Sequence, residues 1–376
     1  MTQPPTWGGP PPQQPGGWPG QPGSGGQWGP QQPWPAPVPP KKGGAAKWAI
    51  GAVSLVAVIA VTAVVAVSCT KNSGGNNGDG GGGGTNTSAA PSDVASANDK
   101  GPVGIITEDP SCAPWGPINS TLYEVENKGW LQRDPSVPVS AWTPEVRAQY
   151  EAVGKAMRKA ADQTVPLAKS TTHRVMRELY GQFIAYVRAY ADGLATYTPI
   201  TDKLAGAGST AANTITAVCA AISSGSAAAR ASLVPSLKAP STIAPVGDLS
   251  NPQRMFDSPD SVCADIGPVL DSLLLSPAFK SWLNTDPKVA ASSWSPEQQS
   301  LNDAVASVMS STAAALEDLA GKSSNPLVQD FILLGVQYRR TYVEAIPTYR
   351  PSDQNVYAAG QRSPGVVAGA CEYTGG

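Results

Sequence analysis

From Thr143 onward, apolar side chains recur every three or four positions, the spacing of one face of an α-helix: Val146, Tyr150, Val153, Met157, Ala160 and Ala161. Thr143-Pro144-Glu145 supplies the start, with a hydroxyl to cap, a proline at the first helical position and an acid in the first turn. A second long helix follows on Val175, Met176, Leu179, Phe183, Tyr186, Tyr190 and Leu194. The same pair then returns. Ser295-Pro296-Glu297 opens a run through Leu301, Val305, Val308, Met309, Thr312 and Leu316, and Ser324-Asn325-Pro326 caps another through Leu327, Val328, Phe331, Tyr338, Tyr342 and Ile346. No stretch alternates strictly enough to demand a strand.

The return is a duplication. Trp130-Leu131, Asp134-Pro135, Val137, Ser140, Trp142 and Pro144-Glu145 recur 152 residues later as Trp282-Leu283, Asp286-Pro287, Val289, Ser292, Trp294 and Pro296-Glu297. The register holds without a gap to Cys219 and Cys371, through Met157/Met309, Tyr186/Tyr338, Arg188/Arg340, Tyr190/Tyr342, Tyr197/Tyr349 and Pro199/Pro351. Rare tryptophans and cysteines in one register exclude a compositional accident. A shorter helix near Pro117 to Trp130 and a last one around Cys219 or Cys371 complete the expectation. Each copy is an all-α, four-helix bundle of about 100 residues.

Each copy begins and ends at a cysteine, 107 residues apart in the first and 108 in the second. Four cysteines allow three pairings. Equal spacing in both copies points to Cys112–Cys219 and Cys263–Cys371, bonds already present in the unit that was duplicated. They imply an oxidising compartment. The fifth, Cys69, is left unpaired.

Ahead of the repeats, no residue between Lys47 and Lys71 carries a charge, and Trp48 to Val67 is an almost continuous run of Ala, Val, Ile and Leu without a polar face. About 20 such residues span the ~30 Å hydrocarbon core, so 48–69 reads as a transmembrane signal-anchor. Lys41, Lys42 and Lys47 before it, against Lys71 alone close behind, place the N-terminus in the cytoplasm and the repeats outside. A second reading takes Ala66-Val67-Ser68-Cys69 as a lipobox, although its first alanine fits poorly and the apolar run is long for a signal peptide. Residues 1–47, rich in Pro, Gly, Gln and Trp and free of acids, form a disordered tail. Residues 70–110, with the glycine run Gly80 to Gly84, read as a tether spanning about 35 Å on r.m.s. average. The organisation expected downstream is repeat 1 at 111–222, a proline-marked linker at 223–258 and repeat 2 at 259–376.

Composition narrows the chemistry. With 26 basic and 28 acidic residues and a net charge of −2, bulk electrostatics give no reason to expect nucleic acid as a partner. One histidine, His173, leaves no multi-histidine zinc site, and its counterpart in the other copy is Asn325. The shared acids Asp134 and Glu145, with Asp286 and Glu297, stand beside prolines where turns and helix starts select an acid on their own account. No catalytic, cofactor or metal residue is assigned, and the chain is read as no enzyme. The shared aromatics Trp130, Trp142, Tyr186, Tyr190 and Tyr197 read first as core. The alternative is a groove for lipid, glycan or peptide lined by Tyr186, Tyr190, Tyr338 and Tyr342.

The Pro-Gly-Gln-Trp tail, the Val/Ala-rich span, the Gly-rich tether and an Ala-rich outer part with paired cysteines resemble the proline/glycine-rich single-pass membrane proteins of actinobacteria, mycobacteria especially. The resemblance covers residues 1–110 best and brings no site residues with it. It implies a cell-envelope module that binds or scaffolds a protein, lipid or glycan partner. Two further readings are a carrier for a lipid or other hydrophobic ligand and an envelope enzyme with a site that the residues do not reveal.

Overall fold

Cap chemistry sets the helix boundaries. In the computed structural model, which describes residues 93–375, the Thr143 hydroxyl accepts from Val146 N at the start of α2 (Pro144–Ser170). The Ser295 hydroxyl does the same for Gln298 N at the start of α8 (Pro296–Ala320). The tail, the apolar run at 48–69 and residues 70–92 of the expected tether lie outside the described residues. Among the described residues no helix is long and apolar enough to cross a membrane.

The described chain is all-helical, with one isolated bridge between Val103 and Leu237. Repeat 1 comprises α1 (Cys112–Glu126), α2, α3 (Arg174–Gly193) and α4 (Pro199–Ser223). Here α1 packs on α2 and α4, α2 on α3, and α3 on α4, closing a ring of four. After the short α5 (Ser226–Arg230) come α6 (Cys263–Leu274), the six-residue α7 (Pro277–Trp282), α8, α9 (Pro326–Ala345) and α10 (Gln354–Thr374). In repeat 2 a ring again closes, through α6, α8, α9 and α10. Gly208 on α4 and its counterpart Gly360 on α10 mark a close crossing in each ring. A Cβ there would lie 2.7 Å from Val187 Cγ1 and from Arg339 N respectively, and 187 and 339 are themselves counterparts.

The two disulfides are Cys112–Cys219 and Cys263–Cys371, each with Cα atoms 5.3 Å apart. Each ties the first helix of its repeat to the last. The relation of the repeats, open in the sequence, is direct packing: α4 lies along α10 through small residues such as Ala207 and Thr210 against Gly369, and α3 crosses α9. Arg230 locks the same seam, its guanidinium bonding both carboxylate oxygens of Asp353 (3.0 and 2.8 Å) and the carbonyl of Thr348.

Residues 93–110 depart from the expected tether. Val94, Ser96, Val103, Ile106 and Asp109 are buried, and the segment runs as a strap over both repeats. Ala95 N donates to Lys169 O, Val103 pairs with Leu237, and Ile106 N donates to the Tyr338 hydroxyl on α9. The expected linker behaves likewise. α4 continues to Ser223, and Leu249, Met255 and Phe256 are buried in a segment that crosses back onto α3, where Met255 N donates to Gln182 Oε1. Both segments end alike. Asp109 accepts from Ser111 N and Thr171 Oγ1, as Asp260 accepts from Val262 N and Ser323 Oγ. Each repeat therefore begins before its cysteine with an arm laid partly on the other repeat. Glycine- and proline-rich composition concealed this, because three or four apolar anchors suffice to seat an extended arm.

Replacing Cys112 and Cys219 together by serine is expected to lower unfolding free energy by about 2–5 kcal/mol, read from urea titrations without reductant.

Candidate functional site

The residues shared most strictly by the two copies build a clamp on the loop that precedes the second helix of each ring. The Trp142 indole donates to Val137 O and Trp294 to Val289 O, at 3.0 and 2.9 Å. The Tyr197 hydroxyl donates to Pro135 O as Tyr349 does to Pro287 O, while Val139 N and Ala291 N donate to Tyr197 O and Tyr349 O. Asp134 accepts from Ser136 N and Asp286 from Lys288 N, closing the turn that starts the loop. Serine's hydroxyl and backbone hydrogen bonds hold the exposed Asp134 carboxyl below its usual range. Glu145, also exposed, is held low by its own backbone amide and the Thr143 hydroxyl. These acids and Glu297 face solvent as turn and helix-start groups and form no convergent pair with each other.

Where the clamps differ, they exchange volume. Position 150 is a buried Tyr whose counterpart is Asn302, and position 205 is an Ala whose counterpart is Tyr357. Accordingly Trp142 packs on Tyr150 (4.0 Å between centroids), while Trp282 packs on Tyr357 (5.1 Å). The Trp130 indole donates to the Tyr190 hydroxyl, whereas Trp282 donates to Asn302 Oδ1. Only repeat 1 adds a cation, with Arg133 stacked 3.4 Å from the Trp130 ring centroid and paired to Asp202. Nearby, burial pushes the largely buried Glu126 carboxyl up to about 7, against the pull of Arg133.

The proposed groove is not formed by its four tyrosines. Tyr186, Tyr190 and Tyr338 are 0% exposed and Tyr342 1%, and burial raises every one of these hydroxyls well above the ordinary tyrosine value. They are core. The hollows described lie elsewhere. One, about 340 Å³, sits between Leu233–Pro235, Ser310 and the Arg340–Glu344 turn; another lies between Ser272 and Ser307–Thr312. His173 precedes α3 without capping it and meets Glu108 O through Nε2 at 2.9 Å. The cap comes from the strap, whose Asp99 carboxylate accepts from Arg174 N at 2.7 Å. That explains how His173 stands where the other copy uses Asn325, which caps α9 itself.

The densest polar chemistry lies where α3 crosses α9. Arg174, 1% exposed, forks onto both oxygens of Asp330 (2.8 and 2.9 Å) and gives its remaining nitrogen to Asp99 O and Gly101 O in the strap. Arg177, 3% exposed, donates to Ser96 O at 2.7 Å and holds Glu178 Oε1 at 3.7 Å. Neither Glu178 oxygen has a hydrogen-bond partner. Burial, and then the neighbouring Asp330 charge, push Glu178 well above the usual carboxylate range. Glu178 and Asp330 are counterparts in the duplication, so the repeats meet acid against acid. Sequence reasoning passed over them because the residues differ. The available signal was an acid in both copies on an otherwise apolar helix face. Among the described residues no group of three or more His, Cys, Asp or Glu could hold a metal ion.

Fold and site together define a duplicated, disulfide-stapled helical module whose shared residues seal loops and seams. The chain belongs to the family described as Mycobacterial ESX-1 associated protein, whose model matches residues 94–375. It is 47% identical over 344 residues to an uncharacterized protein of Mycolicibacterium smegmatis (strain MKD8), covering 91% of this chain and 90% of that one. That span is longer than the described region, so the likeness continues into the residues before Asp93. No solved structure matches the chain.

Arg174→Met alone is expected to cost about 3–5 kcal/mol, because it strands Asp330 as a buried charge. Arg174→Met with Asp330→Leu should recover much of that loss in the same denaturant titration. Trp130→Ala, which empties the clamp, is expected to cost about 3–5 kcal/mol.

Proposed function

We propose that this protein is an extracytoplasmic binding module, anchored in the mycobacterial membrane by residues 48–69, that engages protein partners of ESX-1 and catalyses no reaction. The observation that carries the reading is the use made of the duplicated residues: caps, clamps, core and disulfides, with the strongly perturbed Glu178 sealed inside the seam. An enzyme duplicated with its site would repeat a reactive group in an accessible setting. The family description ties its members to ESX-1. The likeness to the mycobacterial relative extends into the part of the chain that holds the apolar run. Two disulfides suit the oxidising side of a membrane.

In this reading each ring is one copy of the ancestral unit. The copies do not offer the same surface twice. The exposed face of α2 carries Arg147, Lys155, Arg158 and Lys159 beside Glu151 and Asp162, while that of α8 carries Ser307, Ser310 and Ser311 between Asp303 and Asp318. The duplication therefore presents two faces of different chemistry on one chain. The hydrophobic-carrier reading loses its lining, since its four tyrosines are core.

Photo-crosslinkers placed at Lys155 and Ser311 in living cells test the proposal. Protein adducts that disappear from cells lacking ESX-1 are expected; adducts unchanged by that loss, or none from either face, would refute it. For topology, a reporter fused after Gly376 should be active only outside the cytoplasm.

A further inference from the structure

We infer that the hollow between Leu233–Pro235, Ser310 and the Arg340–Glu344 turn is a receptor for one arginine side chain of a partner protein. The duplication supplies the template. In repeat 1 the corresponding place is filled from within. Arg158 on α2 crosses to the end of α3, where Nη2 donates to Ala191 O at 2.7 Å and to Asp192 Oδ1 at 2.9 Å, and Nε donates to the same oxygen at 3.2 Å. The counterparts of Arg158, Ala191 and Asp192 are Ser310, Val343 and Glu344, and all three line the hollow. The acceptors are kept and the donor is gone. Ser310 turns its hydroxyl back to Ala306 O on its own helix.

What remains is shaped for a guanidinium. The rim cation Arg340 is held by Glu317, as its counterpart Arg188 is held by Asp162, which leaves the exposed Glu344 carboxylate uncompensated among the described residues. Val343 O receives Ile346 N, but Pro347, which would complete the helical bond, has no amide, so a lone pair stays open. Both acceptors sit in the last turn of α9, where the helix dipole favours a cation. A carboxylate beside a carbonyl suits the planar fork of arginine better than the single ammonium of lysine. Leu233, Val234 and Pro235 wall the other side and offer apolar surface to the methylene stem. At about 340 Å³ the hollow lies at the small end of ligand sites, a size for a side chain and not for a cofactor.

The arginine has to come from another molecule. Residues 1–92 contain none, and of the described arginines only Arg340 lines the hollow. With Arg340 and Glu317 cancelling, one incoming cation balances Glu344, the charge state that repeat 1 reaches with Arg158. The identification rests on the binding-module reading above and gives the α8 face its chemistry: a partner surface that presents an exposed arginine over Ser307, Ser310 and Ser311.

Methyl NMR of the full chain in mild detergent, reading Leu233, Val234 and Val343, tests the receptor with a blocked pentapeptide that carries one arginine between paired glycines. Its citrulline twin, the same shape without the charge, is the control. The arginine peptide is expected to shift all three residues, and Glu344→Gln to weaken it about tenfold, the worth of one hydrogen bond to a charge. In Ser310→Arg the hollow should be filled in cis, as in repeat 1, and the peptide should no longer act. Both substituted residues are exposed, so neither change threatens the core. No shift at millimolar peptide, an equal shift by citrulline, or an undiminished response in Ser310→Arg would overturn the proposal. In cells, adducts from a crosslinker at Ser311 should fall in Ser310→Arg while those from Lys155 persist. Ser311 adducts that ignore Ser310→Arg, or that prove to be a second copy of this chain, would overturn the choice of partner. Whether the adducts depend on ESX-1 bears on the binding-module reading alone, so the two fail separately.

Discussion

A buried guanidinium has to be met by a full set of acceptors, and the seam between the repeats is arranged around that demand. Arg174 finds a carboxylate in the opposite repeat and carbonyls in the strap. Its bonds therefore hold three separate parts of the chain in one register. Desolvating such a pair brings little net stability compared with an apolar contact of the same volume. What it supplies is uniqueness, since an apolar α3–α9 crossing could slide by a turn whereas a forked ion pair cannot.

The acid-against-acid meeting follows from duplication. When two copies of a unit pack through the same helix, a residue near the axis meets its own counterpart. Here Glu178 meets Asp330. Each copy would have brought an acid to the axis, and the arginines that neutralise the pair now come from one side alone. The counterparts of Arg174 and Arg177 are Pro326 and Gln329. The arms show the same history. Each repeat lays its leading segment partly on the other, residues 93–110 through the Tyr338 hydroxyl and the segment before Cys263 through Gln182.

How much of this could be read from residues alone depended on the range of the interaction. Caps such as Thr143 and Ser295 are local rules, written within four residues, and their helices begin where those rules place them. The disulfides were legible because duplication supplies its own alignment. The core reading of Tyr186 and Tyr190 came from helical spacing, but spacing left a groove open as an alternative, and only their burial decides between the two. The strap was missed because seating an arm takes only Val94, Val103 and Ile106 among glycines and prolines, a density that elsewhere means a linker. The buried network was missed because its partners, such as Arg174 and Asp330, lie 156 residues apart and no periodicity connects them.

The disulfides also govern how the molecule carries load. Each joins the two ends of its ring, so chain tension reaching Cys112 crosses to Cys219 through a sulfur bridge instead of running around the helices. The same happens at Cys263 and Cys371. Under a pull applied at the two ends of the described chain, the rings hang as closed loops beside the line of force. The strap and the segment between the repeats carry the tension, so the molecule can yield at its joints while its helices stay folded.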